Sequence, residues 1–197
     1  MVIPSLNPTQ GGVVSAVRML CKELANQGHR PTILTFDDPN QEWLKACDNI
    51  VAVGPSCGKY GLSLYAVKWI RCNRLEYDVI IVNGLWQFPG VAVCLALTGS
   101  SVPYYVFPHG MLDPWFNKNY PLKWFKKILY WLIAERWVLY MAEAVVFTSE
   151  DERALSSGSF RFSHHRSVVA PLGVPKPPTD SLSLSQSFLL KYPNNHT

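Results

Sequence analysis

What most constrains this chain is an alternation that runs its whole length. Short apolar runs take turns with longer stretches in which apolar residues recur every three or four positions. The run Tyr77-Asp78-Val79-Ile80-Ile81-Val82 is unbroken by polar residues after Asp78. Such a run suits a strand buried on both faces, the situation of a parallel strand covered by helices. Val2-Ile3-Pro4-Ser5, Pro31–Phe36 and Ile50–Val53 read as strands before it, and Val102–Phe107, Ala144–Phe147 and Ser167–Ala170 after it. Helices are expected over Val13–Gln27, where Val13, Val17, Leu20 and Leu24 line one face, and over Leu62–Leu75, Gly90–Leu97 and Pro121–Ala142. Gly28 suits the position that closes the first helix, and Pro121 the first turn of the longest. Ser149 and Glu152 have capping-box spacing for one more. The fold class expected is α/β, a doubly wound, mainly parallel, Rossmann-like sheet with helices on both faces.

Composition narrows the function. The 197 residues are enough for one domain with its own core. With 48% hydrophobic and 16% charged residues, disorder is excluded for most of the chain. The net charge of +4 is weak and dispersed, which argues against nucleic acid as a partner. Its one concentration is Lys118, Lys123, Lys126 and Lys127 among Tyr120, Trp124 and Phe125. Five cysteines without a CxxC pair fit a reducing, cytoplasmic setting. MVIPSLNP lacks the marks of a signal peptide, and Ile128–Ala134 is far shorter than the about 20 residues of a spanning helix. Residues 1–178 are expected to form the domain. Residues 179–197, rich in Ser and Leu after Lys176-Pro177-Pro178, read as a linker or frayed end toward a further domain.

Open parallel sheets bind ligands beyond the carboxyl ends of their strands. The first loop there, Asn7–Gly12, ends in Gly11-Gly12 directly before a helix. The two glycines either expose backbone N–H groups to an anion at the positive end of the helix dipole or simply make the turn. Asp37-Asp38 could bind a ribose but reads better as a solvated turn. In Asn83-Gly84-Leu85-Trp86-Gln87, two amides and an aromatic plate suit a sugar or polar ring, although a turn with a core tryptophan fits as well. Phe107-Pro108-His109-Gly110-Met111-Leu112-Asp113-Pro114-Trp115 puts a lone histidine on the functional rim beside a glycine hinge. In Thr148-Ser149-Glu150-Asp151-Glu152 most of the pattern is explained by a cap with acids favouring the dipole. His164-His165 reads as loop, and no metal-ligand spacing, P-loop or GxSxG elbow is present. The lysines and aromatics from 118 to 140 could lie on an anionic membrane surface. A core helix with a snorkelling lysine edge is the reading preferred, because apolar residues cover most of its circumference.

Four segments taken in order resemble the N-terminal, acceptor-side domain of a family 4 glycosyltransferase of the GT-B fold. They are VIPSLNPTQGGVVSAVRMLCKELANQGH, DVIIVNGLWQFPG, FPHGMLDPW and LYWLIAERWVLYMAEAVVFTSEDE, and the match runs along nearly all of 1–178. The resemblance implies transfer of a sugar, hexosyl in type, from a nucleotide-sugar donor to a glycan or lipid-linked glycan, as in polysaccharide biosynthesis. It implies no tightly bound cofactor or metal. His109 would be the catalytic residue, reaching the transferred sugar. Gly11, Gly12, Asn83, Gly84, Trp86, Gly110, Met111, Asp113, Ser149 and Glu150 would bind donor and acceptor. The chain departs from the pattern at Asn83, where relatives commonly carry His, and at Leu172, where the P-x-G turn often has Asn. No E-x7-E motif follows Gly173, and strand one is short. The expectation is therefore the N-terminal half of an enzyme, inactive alone, in the cytoplasm or peripheral on the inner face of the membrane. The alternative is a non-catalytic binding or assembly module that holds an acceptor, a membrane surface or a complementary half-enzyme. A nicotinamide-dependent oxidoreductase, which would need Asp37 or Asp38, is disfavoured by the lack of GxGxxG.

Overall fold

A computed structural model of the chain describes residues 1–45, 49–114, 127–158, 166–173 and 181–191. The strands are β1 (Val2–Ile3), β2 (Ile33–Thr35), β3 (Ile50–Ala52), β4 (Ile80–Asn83), β5 (Tyr104–Phe107), β6 (Ala144–Phe147) and β7 (Ser167–Val169). All pair in parallel, in the order β3-β2-β1-β4-β5-β6-β7. The sheet is thus the doubly wound, Rossmann-like one that the alternation implies. Its winding reverses between β1 and β4, which opens a crevice at their carboxyl ends.

Helix α1 (Gly12–Asn26) covers one face, where Val14 and Val17 pack with Ile3, Leu6 and Ile33. It closes as the sequence suggests. The Gly28 N–H donates to the Ala25 carbonyl and the His29 N–H to the Leu24 carbonyl, the paired bonds of a Schellman ending. The opposite face is covered by α2 (Leu64–Asn73), α3 (Phe88–Leu97) and a helical segment over 127–141, here α4. Ala66, Ile70, Ala92, Val93, Trp131, Val138 and Leu139 form the larger core beneath them. At Gly90 a Cβ would stand 3.1 Å from a Val138 methyl, so the absence of a side chain lets α3 and α4 approach.

Several boundaries differ from the expected ones for local reasons. Ser63 caps α2 by accepting the Ala66 N–H at 3.2 Å, so this helix starts two residues late. A 3-10 turn over Arg74–Glu76 follows it, and strand pairing begins only at Ile80. Pro89 sits in the first turn of α3, which starts at Phe88. Within α4 the turn Trp131–Glu135 is π-helical before Arg136–Met141 resumes the α form. Pro121, Lys118, Lys123, Lys126 and His164-His165 lie outside the described residues. Ser181–Lys191, expected as linker or frayed end, is helix α6. Together with α5 (Glu150–Ser157) this completes the α-helices of the described residues, which also hold 3-10 turns at Pro8–Gln10 and Glu42–Leu44. None of them is long and apolar enough to cross a membrane.

Candidate functional site

Two loops on the carboxyl rim lock together into one unit. After β4 the chain turns through Gly84, whose φ of +91° would strain any side chain and whose would-be Cβ would press on the Met111 methyl at 3.3 Å. The Gly84 N–H donates to the Phe107 carbonyl at 2.9 Å. The Leu85 N–H reaches the Met111 sulfur at 3.2 Å, and the Trp86 indole N–H donates to the Met111 carbonyl at 3.1 Å. Met111 is therefore a clasp between the Asn83–Gln87 loop and the His109 loop. Two bulky residues in this unit occupy left-handed backbone, Trp86 at φ +67° and His109 at φ +50°. Strain of this kind persists only where the surroundings over-determine it, and it concentrates at functional sites.

The supports of that strain are visible. Asn83, 2% exposed, places its Oδ1 3.1 Å from His109 Nε2. Its Nδ2 faces the Val2 and Ile81 carbonyls at 3.4 Å, so the oxygen must be the atom turned to the imidazole. An amide oxygen only accepts, hence Nε2 carries the proton. In the neutral ring Nδ1 is then the acceptor. Glu152 holds the next residue, as its carboxylate accepts the Gly110 N–H at 2.7 Å, the Thr148 N–H at 2.8 Å and the Thr148 hydroxyl at 2.7 Å. The expected capping box is thus half formed. Ser149 accepts the Glu152 N–H at 3.1 Å, but the Glu152 side chain serves the neighbouring loop instead of returning to Ser149.

Burial holds the His109 pKa below its ordinary 6.5, and the Glu152 carboxylate opposes this in part. The unfolded chain takes up the proton first as pH falls, so this group contributes stability that is lost below about 6.5. An imidazole NMR titration should find His109 still mostly neutral at pH 6.5. A midpoint above 6.5 would contradict the burial seen here.

The other expected residues are distributed less evenly. Gly11 caps α1 without a side-chain bond, and Gly12 begins it, both exposed on the same rim. Asp113 closes the turn with its N–H on the Gly110 carbonyl at 3.1 Å. Glu150 pairs with Arg153 at 2.5 Å on the exposed side of α5, away from the Gly110 contact. Asp37 is no solvated turn residue. It accepts the Ser5 hydroxyl at 2.6 Å, the Leu6 N–H at 2.7 Å and the Thr35 hydroxyl at 2.7 Å, tying the loop after β1 to β2. Its role is structural.

Two carboxylates escaped the sequence reading. Glu152 was seen only as a cap. Glu135 was not singled out, yet it is 1% exposed and accepts the Trp86 N–H at 3.2 Å, fixing the strained residue from below. Burial pushes its pKa from 4.5 up to about 8. The available signal was one acid inside YWLIAERWVLY, on the side shared by Trp131 and Val138.

A family model described as a glycosyl transferase 4-like domain matches residues 11–173. No curated protein matches the chain by sequence. Among solved structures, Anabaena HepE, crystallised in complex with UDP and glucose, superposes with a TM-score of 0.59 at 18% identity. The match covers 95% of this chain and 49% of HepE. Acinetobacter baumannii MurG superposes with a TM-score of 0.50 at 15% identity, over 91% of this chain and 46% of its own. The chain therefore spans about half the length of these solved relatives, which have the same fold in that half.

Proposed function

Because this chain belongs to the glycosyl transferase 4-like domain family, we propose that it supplies the acceptor-side wall of a sugar transferase. The donor is a nucleotide sugar, the transferred group a hexosyl unit, and the acceptor a glycan or lipid-linked glycan. The reaction breaks the bond from the anomeric carbon to the diphosphate oxygen and forms one to an acceptor oxygen, whose proton departs. The observation that carries this reading is His109, neutral and held in left-handed backbone on the rim beside the β1/β4 reversal. HepE, bound to UDP and glucose, lends support to a nucleotide-sugar donor.

Each residue has work suited to its geometry. With Nε2–H engaged by Asn83, the His109 Nδ1 lone pair is left to accept a sugar hydroxyl and orient the ring. The first N–H groups of α1, after Gly11 and Gly12, point at diphosphate oxygens with the dipole in their favour. Gly84, Trp86, Gly110, Met111 and Asp113 shape the wall between them, and Ser149 and Glu150 border it at α5. The second wall belongs to a complementary half of the kind that the solved relatives carry. No tightly bound metal or cofactor enters the mechanism.

Calorimetry of the purified chain with a panel of nucleotide sugars tests this. Weak donor binding without turnover is expected, with transfer appearing when the complementary half is supplied. Tight binding and full turnover by the chain alone would sink the half-site reading.

A further inference from the structure

Three strand ends converge on the Asp37 side chain and backbone, and the tie they make reaches the ligand-facing rim. Asp37 follows β2. Its Oδ1 accepts the Ser5 hydroxyl at 2.6 Å, and its Oδ2 accepts the Leu6 N–H and the Thr35 hydroxyl, both at 2.7 Å. Its carbonyl accepts the Gly54 N–H beyond β3 at 3.1 Å, and a Cβ at Gly54 would collide with the Phe36 and Asp37 carbonyl oxygens. Both carboxylate oxygens are thus taken by the chain's own donors. The strands β2 and β3 set where the carboxylate stands, and what it holds is the chain leaving β1.

From Ser5 the bonds continue along the rim. The Ser5 hydroxyl oxygen accepts the Asn7 N–H at 3.1 Å. Asn7 in turn accepts the Thr9 N–H at 3.0 Å and the Thr9 hydroxyl at 2.9 Å through Oδ1, and the Gln10 N–H at 2.9 Å through its carbonyl. These bonds wind Pro8–Gln10 into its 3-10 turn. They deliver the chain to Gly11 at φ +83°, a conformation that a residue with a Cβ rarely adopts. Helix α1 starts at the next residue, with no side-chain cap and no acid in its first turn. Leu6, 0% exposed, is the second grip, since it packs in one cluster with Val14 and Val17 of that helix. The polar relay and the apolar wedge therefore both begin at atoms that Asp37 holds.

We infer that Asp37 and Ser5 are positioning residues for the Gly11-Gly12 turn. Through the Ser5 hydroxyl and Asn7, the carboxylate fixes the direction in which the first N–H groups of α1 face a diphosphate. Neither side chain touches the ligand. A would-be Cβ at Gly11 or Gly12 meets nothing within 4 Å, so the two glycines are not wedged by neighbours on that side. Hydrogen bonds set the turn instead, and a turn ordered in advance does not charge its ordering to binding. Thr35 separates the two roles of Asp37. Its hydroxyl, on a residue 0% exposed, ties the carboxylate to β2 and lies outside the relay. That a diphosphate binds at this turn rests on the transferase reading; the relay itself does not.

An amide NMR titration of the full chain with inorganic pyrophosphate tests this. In the wild type the Gly11, Gly12 and Val13 amides should shift. Ser5→Ala cuts the relay but leaves Asp37 its bonds to Leu6 and Thr35. It should weaken pyrophosphate binding about fivefold and speed amide exchange over 7–12, with the strand amides unmoved. Thr35→Val should lower the urea midpoint without changing the pyrophosphate affinity. Asp37→Asn should do both, because either orientation of the amide sets an NH2 group against the Ser5 hydroxyl or the Leu6 N–H. Unchanged binding in Ser5→Ala, or equal weakening by Ser5→Ala and Thr35→Val, would overturn the proposal and leave Asp37 a scaffold only. Absent shifts at Gly11 and Gly12 in the wild type would overturn it too, and would place the fault in the transferase reading.

Discussion

Glu135→Gln is expected to stabilise the protein at pH 9 by roughly 3–5 kcal/mol while leaving its stability at pH 4 nearly unchanged. In the folded state burial raises this carboxyl from 4.5 to about 8, and only the Trp86 N–H bond pulls it back. Tyr104 and Tyr130 face it, and each has its own pKa raised in part by the Glu135 charge. Between pH 4.5 and about 8 the folded chain holds a proton that the unfolded chain has released. Stability from this group is therefore complete below 4.5, declines across that window and is gone above 8. The Gln amide is isosteric, keeps a carbonyl for the Trp86 N–H and has no charge to bury. Urea unfolding at intervals from pH 4 to 9 should show curves that coincide in acid and diverge in base. Parallel curves would mean that Glu135 ionises freely. Glu135→Ala removes the acceptor as well and opens a cavity, so it should be destabilised by about 2 kcal/mol even in acid.

Glu152→Ala is expected to cost about 2–4 kcal/mol at neutral pH and to release the His109 loop from α5. The carboxylate is the only connection among the described residues between Gly110 and Thr148, and it accepts three hydrogens with both of its oxygens. Glu152→Gln should rescue little. Oε1 serves Gly110 and Oε2 serves Thr148, so either orientation of the amide sets an NH2 group against a backbone N–H. Hydrogen exchange should show faster opening of the Gly110 and Thr148 amides in both variants, and little change in the strands β2 and β3. Protection that survives in Glu152→Gln would mean the bonds to Gly110 and Thr148 do not set the loop.

The solved relatives and the sheet make plain what was legible beforehand. The apolar run Tyr77–Val82 suggested a strand covered on both faces, and Val102–Phe107 and Ala144–Phe147 read as further strands of the same sheet. The rim loops followed from that topology, because parallel strands all deliver their carboxyl ends to one side. His109 could be placed on the rim from its position after such a run. Asp37 could not be assigned. Whether an acid after a strand faces water or closes a neighbouring loop depends on Ser5 and Leu6, more than thirty residues away. Glu135 was hidden for the same reason, as its partner Trp86 lies 49 residues earlier. The apolar circumference of α4 was read as core, whereas the structure buries only the side of Trp131, Val138 and Leu139.

Local patterning by itself indicated most of the elements and a mainly parallel sheet, but not the helix over Ser181–Lys191. Periodicity and turn chemistry act within a few residues and are readable without the rest of the chain. Only the tertiary structure decided which polar side chains act as scaffolding and which face outward. Hydrogen bonds donated by His109 to Asn83, by Gly110 to Glu152 and by Trp86 to Glu135 join segments far apart in the chain. Their worth comes from burial in a low-dielectric interior that exists only once the sheet and helices have come together.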